Sequence, residues 1–139
     1  MKELIYQIIK ENEKKGNFTY AEFTEEMCKI AEQKLGEAIP EEYKWFLKEF
    51  GHGGIGGVEV IGITRDNKIL FVEETIKFRT YGLPSKYIVI ENCDEWVYCI
   101  NTKNSEVVMW TKGDKEIPTA YKGFIDYLAD RTNDMLENT

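Results

Sequence analysis

The residues best placed to do chemistry cluster between positions 51 and 60. Gly51, Gly53, Gly56 and Val58 spell G-x-G-x-x-G-x-V, the nucleotide-loop pattern of protein kinases and, without the valine, of dinucleotide-binding folds. Such loops work only in context. A dinucleotide loop leaves a strand and opens a helix whose N-terminus meets the pyrophosphate. Here the order is reversed, helix into glycines into strand. The kinase loop needs a lysine strand, an H-R-D loop and a D-F-G triplet further on, and none of these follows. The five glycines from Gly51 to Gly57 therefore read as a backbone device for a sharp turn and a close approach of two backbones.

Other reactive side chains are scattered. His52 is the only histidine, and in a glycine loop it reads as a solvated or backbone-bonding group, not a catalyst. Zinc would want several His or Cys ligands at suitable intervals, whereas no pair among Cys28, Cys93 and Cys99 has that spacing. The three cysteines read as small core residues. Glu73-Glu74, and Glu91 with Asp94 and Glu95 around a turn, could in principle hold a metal or move protons; the preferred reading is a solvated acidic face. Trp96 and Tyr98 alternate onto one face of a strand and Val97 and Cys99 onto the other. One of those faces is core, and alternation does not say which. No set of residues makes a convincing catalytic site, metal site or cofactor site.

The bulk numbers narrow the function classes. A chain of 139 residues with 42% apolar and 13% aromatic residues is one domain, 1–139, able to bury a real core. Lys and Arg total 18 against 25 Asp and Glu, a net charge of −7, which argues against direct nucleic-acid binding and suits a basic partner. No apolar run approaches the ~20 residues of a membrane span. The opening MKELIYQIIKENEKK is a charged amphipathic helix without the unbroken apolar core of a signal peptide. With an odd number of cysteines, a cytoplasmic location with reduced thiols is expected.

The elements that must position these groups follow from period and punctuation. A helix is expected over 2–15, with Leu4, Ile5, Ile8 and Ile9 on one side and Gly16 as its stop. A second covers about 23–35, carrying Met27, Ile30, Ala31 and Leu35, closed by Gly36. The third is the clearest. Pro40 stands at its first position, Glu41 and Glu42 suit the helix dipole, and Tyr43, Phe46, Leu47 and Phe50 form one stripe before Gly51. Residues 58–63 read as a strand and 70–81 as a helix broken by Gly82-Leu83-Pro84. Strands are expected over 87–91, 95–100 and 106–110. A closing helix carries Ala120, Phe124, Tyr127, Leu128 and Met135. Helices, then antiparallel strands, then a helix describe an α+β fold with terminal helices packed around a mainly antiparallel sheet.

Taken together, Leu35-Gly36, Ile39 to Leu47, Phe50-Gly51 with Gly53-Gly54, Tyr81-Gly82-Leu83, Ile88 to Glu91, Tyr98 to Thr102 and Phe124 to Leu128 resemble the SUKH superfamily, the bacterial relatives of the yeast regulator of cell-wall synthesis. The likeness looks closest to immunity proteins paired with LXG toxins. It implies an α+β fold, no catalysis, no cofactor, and binding to a cognate toxin domain, often a nuclease. Gly36, Pro40, Tyr43, Phe46, Leu47 and Gly51 read as folding features. For the toxin, the expected surface is an acidic rim of Glu73, Glu74, Asp94 and Glu95, an aromatic anchor from Trp96 or Tyr98, and a flexible loop around His52. A regulatory or scaffolding module acting on another cellular protein is the alternative.

Overall fold

The computed structural model describes residues 1–137. Helix α1 (Lys2–Glu11) buries Ile5 and Ile9, one turn apart, while Leu4, expected on the same stripe, is 56% exposed. It ends early. The Asn12 side chain donates to the Ile8 carbonyl, a 3-10 turn (Glu13–Lys15) replaces the last α turn, and Gly16 leaves in extended backbone and not as a left-handed stop. Helix α2 (Glu25–Leu35) is capped by Thr24, whose hydroxyl accepts from the Met27 N–H, and closes on left-handed Gly36. Its buried stripe is Cys28, Ala31 and Leu35; Ile30, expected there, is exposed.

Helix α3 (Glu41–Phe50) starts one residue later than expected, with Pro40 as its cap. Tyr43, Phe46, Leu47 and Phe50 are all fully buried, and the Tyr43 hydroxyl donates to the Ile61 carbonyl at 2.6 Å. Helix α4 (Leu70–Arg79) follows, burying Phe71, Val72 and Thr75. Four strands, β1 (Tyr87–Asn92), β2 (Val97–Asn101), β3 (Val107–Trp110) and β4 (Thr119–Tyr121), form an antiparallel sheet in sequence order. Helix α5 (Phe124–Glu137) closes the fold. Helices at both ends around an antiparallel sheet make it α+β.

Two expectations about this half are corrected. Strand β4 has only three residues, too few to show a period, and Ala120 lies exposed within it instead of on α5. Residues 58–63 are extended but join no sheet: Val60 bridges Gly53, Ile63 bridges Ile69, and the Ile61 N–H reaches only the Ile90 carbonyl, at 2.8 Å. That contact falls at a bulge in β1: Val89 pairs with Cys99 but Glu91 pairs with Tyr98, so Ile90 is the extra residue.

The sheet carries helices on both faces. On one, Trp110 meets Phe78 of α4 edge-on at 6.1 Å, and the Thr75 hydroxyl accepts from the Val89 N–H. On the other, Tyr98 meets Tyr127 of α5 at 5.4 Å. Tyr43 joins the layers, lying 5.4 Å from both Phe71 of α4 and Phe124 of α5. Both sheet faces are therefore core: Val97 and Cys99 look toward α4, Tyr98 toward α5.

Candidate functional site

The hairpin between β1 and β2 is held by its own backbone. The Cys93 N–H donates to the Trp96 carbonyl at 2.9 Å and the Glu95 N–H to the Cys93 carbonyl at 2.8 Å. The Asn92 side chain accepts from the Asp94 N–H at 2.8 Å, and Asp94 adopts a left-handed φ of 68°. An aspartate tolerates that conformation better than most residues, and the Asx bond fixes it. Asp94 and Glu95 are both exposed at the tip. Trp96, half-buried, lies just before β2 and not within it, its ring edge-on to Tyr98 at 6.1 Å. The Trp96 Nε1 is buried with no acceptor among the described residues.

Helix α4 supplies the floor beside this tip through Leu70, Glu74 and Phe78, each four residues from the next and so on one face. Phe78 joins Asp94, Glu95, Trp96 and Trp110 around a cleft of about 120 Å³. Leu70 and Glu74 join Glu59, Ile61 and Asn92 around a neighbouring one of about 210 Å³. The expected Glu73–Glu74 pair is thus split. Glu73 points to solvent, while Glu74 turns into the cleft and meets Lys77 at 3.6 Å.

Three residues behave differently from expectation. Tyr98 is only 7% exposed, packed against Tyr121 and Tyr127 with the Arg131 guanidinium 5.5 Å from its ring centre. It backs Trp96 and offers no surface of its own. His52 is 9% exposed and tied into its loop: Nδ1 accepts from the Gly62 N–H at 2.9 Å, which leaves Nε2 as the donor, 3.0 Å from Glu59. Through Glu59 it touches the larger cleft from beneath. Glu91 is not part of a solvated face. It is 4% exposed, accepts from the Tyr127 hydroxyl at 2.7 Å, and binds Arg131 through both oxygens at 3.1 and 2.7 Å.

The bulge explains Glu91. Regular alternation would put Glu91 on the α4 face with Val89; one extra residue turns it to the α5 face beside Tyr98. Around it the titrations respond to burial and charge. The hydrogen bonds that Arg131 donates to Glu91 hold its guanidinium more firmly protonated. Burial, helped by the Glu91 charge, raises the Tyr127 phenol well above its usual range. Burial likewise pushes the Cys93 thiol up to about 12, with the Glu91 charge adding. Glu59 is the rim residue that sequence reasoning missed, although its place between Val58 and Val60 gave the outward alternation that could have found it.

Among the described residues no three His, Cys, Asp or Glu side chains converge as a metal set would, and no helix is long and apolar enough to cross a membrane. An exposed acidic tip backed by an aromatic thus stands beside two side-chain-sized clefts. The same order of helices, glycine turn and meander carries the likeness read from the sequence, and the family model described as SMI1-KNR4 cell-wall, SUKH_5, matches residues 1–133. That match spans nearly the whole chain, helices and sheet alike, and the chain belongs to the SUKH family.

Proposed function

We propose that this chain is an immunity protein: a single non-catalytic domain, 1–139, that works in the cytoplasm by binding and neutralising a cognate polymorphic toxin domain of the LXG kind. The favoured partner class is a basic nuclease domain, met by direct protein–protein contact without cofactor, nucleic acid or membrane. Family membership supports a binding role. The observation that carries the reading further is the β1–β2 tip. Asp94 and Glu95 are exposed on a backbone fixed by its own hydrogen bonds, so little conformational freedom is lost when a partner docks. Nuclease surfaces that hold phosphates are basic, and an acidic tip on a chain of net charge −7 can stand in for the nucleic acid. Glu73, Glu74 and Glu59 extend the acidic surface along α4, Trp96 supplies the aromatic, and a specific interface needs only about 800 Å² per partner.

The test is calorimetric titration with the toxin C-terminal domain encoded beside this chain. Tight 1:1 binding is expected, weakened more than about tenfold, ~1.4 kcal/mol, by Asp94→Lys with Glu95→Lys. Both residues are exposed, so the fold should lose only the roughly 1 kcal/mol that Lys costs against Asp in the left-handed backbone at position 94, a small fall in the thermal unfolding midpoint. Unaltered affinity in the double variant would move the interface away from the tip. An inert pair would remove the immunity reading and favour a regulatory module with another protein partner.

A further inference from the structure

The smaller cleft has a more specific chemistry than an acidic face. Its walls hold three aromatic side chains, Phe78, Trp96 and Trp110, and two carboxylates, Asp94 and Glu95. At about 120 Å³ it holds roughly four waters, taking ~30 Å³ for each. Small-molecule sites usually enclose about 300–1,000 Å³, so the occupant is the size of one side-chain head group. Among the described residues neither carboxylate is in an ion pair. The cation at the lip, Lys112, is engaged elsewhere, with Nζ 5.0 Å from the Tyr81 ring centre. Among the described residues, two acids and three aromatics thus line a space whose one lining cation, Lys112, is turned to a ring outside it.

We propose that this cleft is the subsite for an arginine side chain of the protein partner, an assignment that rests on the immunity reading for the partner's identity but not for the cleft's chemistry. A guanidinium fits on both counts. Its flat face stacks on aromatic rings, and its fork of N–H donors matches a carboxylate with two parallel bonds. An ammonium lacks both features. The same pairing occurs on the other sheet face, where Arg131 lies over Tyr98 and binds Glu91 with two nitrogens. There the chain supplies its own arginine; at the tip it supplies the acids and rings, with Lys112 turned to Tyr81.

The probes are N-acetyl-arginine methylamide and its uncharged counterpart N-acetyl-citrulline methylamide, titrated into the 15N-labelled protein. Saturable shifts are expected at the Trp96 and Trp110 indole N–H signals and the amides of residues 94–97. Citrulline should bind at least about tenfold more weakly, and so should the arginine probe to Asp94→Asn with Glu95→Gln. Those substitutions change charge and leave the shape of two exposed side chains, so an unaltered remaining spectrum verifies the fold. Equal shifts with citrulline, shifts centred elsewhere, or none would overturn the proposal; equal affinity for N-acetyl-lysine methylamide would overturn the choice of arginine. The two readings separate cleanly. A cleft that takes the probe in a protein indifferent to the toxin domain keeps this inference and sinks immunity. A tight toxin complex with a silent cleft does the reverse.

Discussion

Glu91 is the residue on which the folded state leans most visibly. A carboxylate 4% exposed is tolerated because Tyr127 and Arg131 satisfy it and because the pair is bidentate. Removing one partner leaves the other charge buried. Glu91→Gln should therefore cost about 2–4 kcal/mol, at the lower side of a buried pair because the Arg131 side chain keeps 19% of its exposure. Tyr127→Phe, which removes one hydrogen bond to a charged group, should cost about 1–3 kcal/mol. Urea unfolding midpoints with unchanged slopes would show both. A Glu91→Gln protein within ~0.5 kcal/mol of the parent would mean that water, and not Arg131, governs this carboxylate. At the same scale the acids sort by backbone position: Asp94 and Glu95 sit on an exposed turn, Glu91 three to four residues earlier on a strand whose bulge turns it inward.

At the scale of elements, the glycine loop explains why helix α3 can be followed so closely by an extended segment. The Ile63 N–H donates to the Gly51 carbonyl at 2.8 Å, and a Cβ on Gly62 would stand 1.8 Å from that same oxygen. Gly53 is equally confined, with φ at 118° and the Asn17 carbonyl where a Cβ would go. Gly62→Ala must push two backbones apart and should destabilise by about 1–3 kcal/mol or more, whereas Gly57→Ala, with open space around it, should stay within ~0.5 kcal/mol. Similar midpoints for the two variants would refute the close-approach account. The reading of those glycines as backbone devices came from the reversed order of helix and strand, which was legible because it needs only local signals. Helix α3 was legible for the same reason: a proline, two acids, a four-residue stripe and a glycine agree. The face of α2 was not, since Cys28 and Ile30 are both apolar and only packing decides which turns inward. Nor was the bulge at Ile90, because an extra residue in a ladder has no composition of its own. That single slip hid the fate of Glu91, and with it the division between structural and exposed acids. The depth of Tyr98 and His52 was equally illegible, since it is set by α5, far along the chain, and by the way residues 59–62 fold back onto the glycine turn.

For the whole molecule the decisive quantity is the field and not any one contact. On the immunity proposal, a net charge of −7 would act at a distance on a basic partner, while the tip, the Trp96 side chain and the two clefts would act only after contact. The two contributions separate in time. Long-range attraction speeds encounter and is screened by salt, the screening length falling from about 10 Å at 0.1 M to about 3 Å at 1 M. Short-range packing of an aromatic and a cation in a cleft would govern how long such a complex lasts. Stopped-flow association with the toxin domain should therefore slow by one to two orders of magnitude across that salt range, given the ~10–10³-fold span of electrostatic steering. Dissociation should change far less. Charge reversal at Asp94 and Glu95 moves the net charge by four, from −7 to −3, and should reduce both the rate of association and its salt slope. Neutralising Glu3 and Glu49, which line the groove beside Tyr6 and Trp45 on the α1–α3 side, changes net charge without touching the tip. It should slow association only modestly and leave dissociation alone. If the Glu3 and Glu49 variant instead shortened the complex lifetime while the tip variant did not, the toxin would sit on the α1–α3 groove. The acidic tip would then be a steering element only.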